Sequence, residues 1–508
     1  MAQPDSLRLI DLLGNAPAET LRGADGSLFV AMRDLGPNPP SGRLLRGLTP
    51  WLDGQGVQSV FLLAERKWRE PWSDSKAVQP YQELVHWQRD TKGGIYRGAA
   101  WRGVEMNMQE LGQVFQREPS SLIDYAARRM DAAVISNAEP MRLGVHYVPK
   151  PWGREGWFTG IERRGLSRVV GSTGQTDLPY ALGMFPWPLM RAQERPPPIL
   201  LKTLEPYPDA VIGDLYLEVH AEKWETYVVL SVDEQSWPDG VGSLRAGLDS
   251  EVIAQYQTRN KGSWRKAIGS DLGRRIAAYE QVRRSIDAWM DERLKERGLD
   301  PEKAPPLDAQ REFAAALPAP LRQQERDSRS EVEAMLGRVP MRVGDVAALP
   351  PGVLHSLQHG VKVVEFQTPA YERMIAMSTQ KVLTQSHWDT ERALERMDKA
   401  PYEPPPPALL FDEPGLRVES AVSYPEFSVE RVRLTGDHPR AMATDERYRL
   451  LFIVEGQGKV RFGGSERPLA KEDALLIPAT LGDFEIAPAD GVTLAYLDAV
   501  PNRPQDAP

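Results

Sequence analysis

Hydrophobic and polar positions divide this chain into stretches with different periods. SLFVAM (27–32) and SVFLLAE (59–65) are short apolar runs of strand type, and MQELGQVFQREPSSLIDYAARRM (108–130) spaces its apolar residues as a helix does. VPKPWGREGWFTG (148–160) reads as a boundary leading into a strand-rich region. ILLKTL, GDLYLEVH and TYVVLSV follow as strands between residues 198 and 233. Residues 250–337 change to helical spacing with charged faces, interrupted by the breaker-rich DPEKAPPLD. RVGDVAALPPGVLHSLQHGVKVVEFQT (342–368) returns to strands, and DTERALERM (389–397) predicts a short helix. PYEPPPPALLFDEP (401–414) is expected to be a semi-extended proline-rich linker. Beyond it, YRLLFIVEGQGKVRFGGSERPLAKEDALLIPATLGDFEIA (448–487) alternates strands with glycine turns, the pattern of a compact barrel or sandwich.

Composition narrows the chemistry. The 508 residues suffice for two to four domains with substantial cores. Acidic residues (71) exceed basic ones (62) for a net charge of −9, which argues against nonspecific binding of nucleic acid or an anionic membrane. No cysteine is present, so disulfides, thiolate zinc sites, iron–sulfur clusters and cysteine nucleophiles are excluded. Any metal must be held by His, carboxylate or amide oxygen. The first twenty residues carry acidic side chains and no long apolar run, and no stretch approaches the roughly 20 apolar residues of a membrane helix. A cytoplasmic protein is the expectation.

Two segments carry candidate chemistry. In LYLEVHAEKWETYVVL (215–230), Glu218 and His220 are alternate residues of a strand and project to one side. Glu225 stands an odd number of positions from both and needs the turn AEKW to reach them. The stretch is either a half-buried strand with a polar face or a set of three ligands converging on a metal. In GDVAALPPGVLHSL (344–357), Gly344, Pro350, Gly352 and His355 have the spacing G-x(5)-P-x-G-x(2)-H, with Pro and Gly forming a tight turn before a strand that starts at His355.

Together these segments resemble the two motifs of the cupin superfamily, with Glu218 in place of the first histidine of H-x-H-x(3,4)-E. The resemblance places the two strands side by side, so that His355 completes a set of four ligands. It extends further: PPILLKTLEP, LYLEVHAEKWETYVVL, GDVAALPPGVLHSL and KVVEFQTPAYER are similar to segments of the type I mannose-6-phosphate isomerases, cupin proteins with a helical insertion between their metal motifs. In that family the first motif is Q-V-H, a loop, then G-K-T-E. Glu218 takes the place of the Gln, and the loop is almost entirely missing. The resemblance covers residues 148–500, and the first 140 or so lie outside it.

This resemblance implies a mainly β fold with a helical insertion, built from jelly-roll-like cupin barrels: a metal-bearing central barrel and a metal-free C-terminal barrel. The domains it implies are an N-terminal region (1–145), a catalytic cupin domain (146–250 and 338–400), a helical insertion (251–337) and a C-terminal cupin-like barrel (415–500). It implies Zn²⁺, or another divalent first-row metal, on Glu218, His220, Glu225 and His355. Arg373 and Glu365 become candidate catalytic residues, although YERMIAMSTQKVL stands where the family has T-Y-R-x-Y-D-W. Lys223 and Lys202 become candidate contacts to a sugar or sugar phosphate. The implied activity is aldose–ketose isomerisation through an enediolate. A metal-dependent cupin oxygenase and a non-catalytic sugar-binding or regulatory protein remain as alternatives. His359 and His387 are expected to be structural, and Trp224 and Trp388 to be core or rim residues.

Overall fold

The computed structural model describes residues 18–35, 45, 56–68, 79–89, 94–162, 165–184, 198–436 and 438–502. The chain forms two compact units: residues 1–146, 157–199 and 408–508 make one, and residues 147–156 with 200–407 make the other. Residues 157–199, expected inside the central domain, group instead with the C-terminal strands. The reason is strand pairing: Arg168–Gly171 pairs with Met141–Gly144, which pairs with Ala474–Ile477.

In the first unit, the early strands form a six-stranded sheet in chain order: Ala18–Arg22, Leu28–Leu35, Ser59–Trp68, Gln79–Gln88, Ile95–Arg102 and Ile135–Ser136. The second and third strands run parallel and the other neighbours antiparallel. The helical stretch at 108–130 is two helices, Met108–Arg117 and Leu122–Arg129, because Pro119 allows only a short 3₁₀ turn between them. Their stripe of Leu111, Phe115, Leu122, Ile123 and Ala126 packs on Phe29, Phe61, Leu84 and Trp101. Six C-terminal strands join Met141–Gly144, Arg168–Gly171 and Gly174–Asp177 in a nine-stranded sheet, and four more form a second sheet, around Val432, Leu451, Ile453, Phe484, Ile486 and Tyr496.

One expectation is corrected here. Within the proline-rich linker, Ala408–Glu413 is a strand at the edge of the nine-stranded sheet, antiparallel to Leu416–Ser423. No proline falls between 408 and 413, so ALLFDE is free to pair across the turn at Pro414 and Gly415, whose φ is 91°. All six of its residues are exposed, and the register, not burial, holds it.

The second unit positions the candidate site. Its strands are β1 (His146–Lys150), β2 (Gly153–Trp157), β3 (Leu200–Pro206), β4 (Leu217–Val219), β5 (Glu225–Val232), β6 (Gly242–Leu248), β7 (Leu336–Met341), β8 (Val346–Leu349), β9 (His355–Leu357), β10 (Val361–Gln367) and β11 (Met374–Met377). They form two sheets in the orders β8-β5-β10-β3-β2-β1 and β7-β6-β9-β4-β11. Inward residues from both sheets, among them Leu204, Val229, Leu244, Leu357, Val363 and Ile375, share one core. The fold is the cupin type, mostly β with few helices.

Between β6 and β7 lie four helices: α1 (Ser250–Arg259), α2 (Trp264–Glu296), α3 (Leu307–Ala316) and α4 (Ala319–Glu333). The break expected at DPEKAPPLD falls between α2 and α3. Ile268, Leu272, Ile276, Tyr279, Arg283 and Ile286 recur every three or four residues along α2 and are buried as one stripe. The short helix expected at 389–397 is α5 (Thr390–Arg396). Among the described residues, no helix is long and apolar enough to cross a membrane.

Candidate metal centre

The strand alternation foreseen at 218–220 holds. β4 and β9 are antiparallel neighbours with Glu218 directly opposite His355, so two candidate ligands share one cross-strand pair. Residues 221–224 carry the chain round to β5, where Glu225 opens the strand and faces the same interior as Tyr227 and Val229. The turn before β9 depends on Gly352, whose φ of 90° disfavours other residues and whose N–H donates to the His220 carbonyl at 2.8 Å.

Glu218, His220 and His355 bring one ligand atom each within 4.8 Å of one another. Glu225 stands among them, 3.5 Å from His220 Nε2 through one oxygen and 3.2 Å from His355 Nε2 through the other. Glu218 Oε1 is 3.9 Å from His220 Nε2. Bonds of about 2.0–2.2 Å at tetrahedral angles place neighbouring ligands about 3.3–3.5 Å apart, so the spacing is close to that of an occupied site.

Both imidazoles are oriented by the backbone. His220 Nδ1 lies 2.8 Å from the Glu372 carbonyl and His355 Nδ1 lies 2.9 Å from the Val353 carbonyl. Each Nδ1 therefore carries a hydrogen, and each Nε2 faces the centre, where it can bind a metal when the ring is neutral. Those two Nε2 atoms and Glu218 Oε2 are buried without a well-formed hydrogen bond among the described residues. Buried polar atoms normally find partners, so three orphans converging on one point fit a cation.

A layer of charge surrounds this cluster. Lys223 Nζ is 2.6 Å from Glu225, Lys202 on β3 is 3.0 Å from Glu365 on β10, and Lys150 is 3.2 Å from Glu155. Burial opposes ionisation of Glu218, but the charges of His220, Arg373 and Lys223 outweigh it and hold its carboxyl below the ordinary value. Glu225 is held well below, again against burial, chiefly by Lys223 and His220. Glu365 moves the other way. Burial pushes it well up, the Glu225 charge adds to this, and Lys202 only partly offsets it. For Lys202 the burial penalty is exceeded by the carboxylates of Glu365, Glu155 and Glu225, so its ammonium is stabilised.

Every candidate residue from the sequence is thus placed in or beside one cluster. Arg373 precedes β11, is half-buried, stands 5.4 Å from the Tyr216 ring and is drawn to the Glu218 charge. Lys150, Glu155, Tyr216 and Glu372 were not singled out by sequence reasoning. Glu372 is the most consequential of them: its carbonyl orients His220 and its carboxylate accepts from Ala221 N at 2.9 Å. The one available signal was adjacency, Glu372 beside Arg373 and Glu155 within PWGREGW. His359 bonds Asp214 at 2.6 Å and stacks on Trp237, and Trp388 is buried against Tyr279. Trp224 is half-buried, and His387 is exposed.

Residues 418–491 match the family described as mannose-6-phosphate isomerase, cupin domain. The mannose-6-phosphate isomerase of Streptococcus mutans is 25% identical over 166 residues, 30% of this chain and 50% of that protein. The Bacillus subtilis protein YvyI, whose name places it among mannose-6-phosphate isomerases, is 25% identical over 162 residues, 30% of this chain and 49% of that protein. The likeness to a mannose-6-phosphate isomerase cupin domain is thus carried by residues 418–491. The chain spans about half the length of the curated relatives it matches. Among solved structures, the mannose 6-phosphate isomerase of Bacillus subtilis aligns at 16% identity with a TM-score of 0.47, over 71% of this chain and 99% of that one.

Proposed function

We propose that this isomerase-like protein is a metal-dependent aldose–ketose isomerase acting on a sugar or sugar phosphate, with Glu218, His220, Glu225 and His355 as the ligands of a Zn²⁺ ion. The observation that carries the reading is the convergence of His220 Nε2, His355 Nε2 and Glu218 Oε2, three buried atoms without a well-formed hydrogen bond among the described residues, on one cluster. Two imidazoles with carboxylate oxygens suit zinc, and other divalent first-row ions are chemically compatible.

Isomerisation moves a proton between neighbouring carbons, one of which bears the carbonyl. The bound metal would supply Lewis acidity, polarising the carbonyl. The chain's own residues account for the proton and the charge. Glu365, pushed up by burial and held 3.0 Å from Lys202, is the candidate to give and take a proton. Arg373 is the candidate to stabilise the negative charge that develops in an enediolate. Lys202 and Lys223 are the candidate contacts to substrate oxygens, each already fixed by a carboxylate.

Metal analysis joined to an isomerisation assay over phosphorylated and free aldoses tests the proposal. Stoichiometric zinc together with aldose–ketose conversion is the expected result. His220→Ala and His355→Ala should each lose the metal while remaining folded by circular dichroism. Full metal content in both variants would overturn the ligand assignment; bound iron with oxygen uptake would replace isomerisation by oxygenation.

A further inference from the structure

The helical insertion encloses a cavity that shares no lining residue with the candidate metal cluster. It measures about 250 Å³, at the small end of the range for ligand pockets, and its walls are α2, α3, α4 and the segments 210–212 and 379–383. Ile286, Met290, Leu294, Phe313, Leu317 and Leu383 make its interior largely apolar.

Its walls are built firmly. Val211 adopts a φ of 71°, costly for a β-branched residue. That conformation is held by hydrogen bonds to the Val211 carbonyl from Gln380 Nε2 and, at 2.9 Å, from Thr379 Oγ1. The same Gln380 is 7% exposed, and its Oε1 is buried with no partner among the described residues.

The charges around the cavity are paired with one exception. Arg283 donates to Asp287 at 2.8 Å, Lys381 to Asp291 at 2.9 Å, and Arg329 to Glu325 at 2.8 Å. Arg322, also in the lining, has no carboxylate partner among the described residues; its guanidinium makes one long bond, 3.4 Å, to the Ala315 carbonyl. It is exposed, in the first turn of α4, whose N-terminus has no side-chain cap. The helix dipole there adds to the attraction for an anion.

We propose that this cavity binds a small apolar carboxylate, an aromatic or short-chain acid, with its hydrocarbon body among the helices and its carboxylate on Arg322. The planar guanidinium matches a carboxylate in two parallel hydrogen bonds, and the apolar walls reject a strongly hydrated head group. The site is independent of the isomerase reading and stands whether or not the metal centre turns over sugar.

Calorimetric titration of the full-length protein with phenylacetate and hexanoate at neutral pH tests it, with phenylacetamide as the neutral counterpart of the first. We expect saturable one-to-one binding of at least one acid, and phenylacetamide at least tenfold weaker than phenylacetate. Arg322→Gln changes an exposed side chain, so it should leave the unliganded melting temperature unaltered and reduce phenylacetate to the level of the amide. Ala314→Trp, at an exposed position in the lining, should abolish binding of both. Absence of saturable binding by either acid, equal affinity for acid and amide, or binding undiminished in both variants would overturn the proposal.

Discussion

His220 and His355 each spend their Nδ1 hydrogen on a backbone carbonyl, which turns both Nε2 atoms toward the carboxylates of Glu218 and Glu225. Glu218 occupies the position that the resembling family fills with a neutral glutamine, and this charge strengthens cation binding. Glu218→Gln should therefore weaken zinc affinity by about tenfold or more without unfolding the barrel, measured by competition with a chromogenic chelator. Glu365 has the opposite character, a buried carboxyl pushed up beside Lys202. Glu365→Gln should keep the metal and lower kcat by about 10²-fold or more with a smaller effect on KM, the range of an acid–base group. An unchanged kcat would remove Glu365 from the reaction. The candidate ligands were legible through the family resemblance, which rests on local patterns of alternation and turn residues. The role of Glu372 was not, since its contacts with His220 and Ala221 join residues about 150 positions apart.

Secondary elements place these residues through a few checkable contacts. Asp249 caps α1, its Oδ1 accepting from Glu251 N at 2.9 Å and Val252 N at 3.0 Å. Asp249→Ala should cost about 1 kcal/mol in urea unfolding. Leu272, fully buried in the stripe of α2, belongs to the same apolar core as β4 and β9. Leu272→Ala should cost about 2–5 kcal/mol. The helices and most strands could be read from periodicity, which reports what one face of an element must bury. The strand Ala408–Glu413 could not, because an exposed edge strand has no buried face and exists only through its pairing with Leu416–Ser423.

For the whole molecule, two compact units imply two separable responses to solution conditions. His86 in the N-terminal sheet is lowered to about 4 by burial and the neighbouring Arg97 charge. The unfolded chain takes up that proton near pH 6.5 while the folded chain refuses it until about pH 4. This contribution to stability is complete above pH 6.5 and falls by on the order of 3 kcal/mol as the pH drops to 4. His86→Gln should flatten that part of the pH–stability curve for the unit that contains the N-terminal sheet. A metal held by Glu218, His220, Glu225 and His355 would act on the other unit. Chelation should lower only the unfolding transition of residues 200–407, by about 4 kcal/mol if the ion had been present at a thousand times its Kd.

The sequence by itself determined the cupin pattern, the helical insertion and the candidate ligands, since alternation, turn glycines and helical spacing are consequences of neighbouring residues. It also limited any metal to oxygen and nitrogen ligands, because no cysteine exists. Tertiary structure decided what depends on contacts between distant segments. It assigned residues 157–199 to the C-terminal strands through the pairing of Met141–Gly144 with Ala474–Ile477. It set the opposed shifts of Glu225 and Glu365, which burial and neighbouring charges produce only when β3, β5 and β10 lie side by side. The cavity above Gln380 is of the same kind: three helices and two loops enclose it, and no one of them encodes it alone.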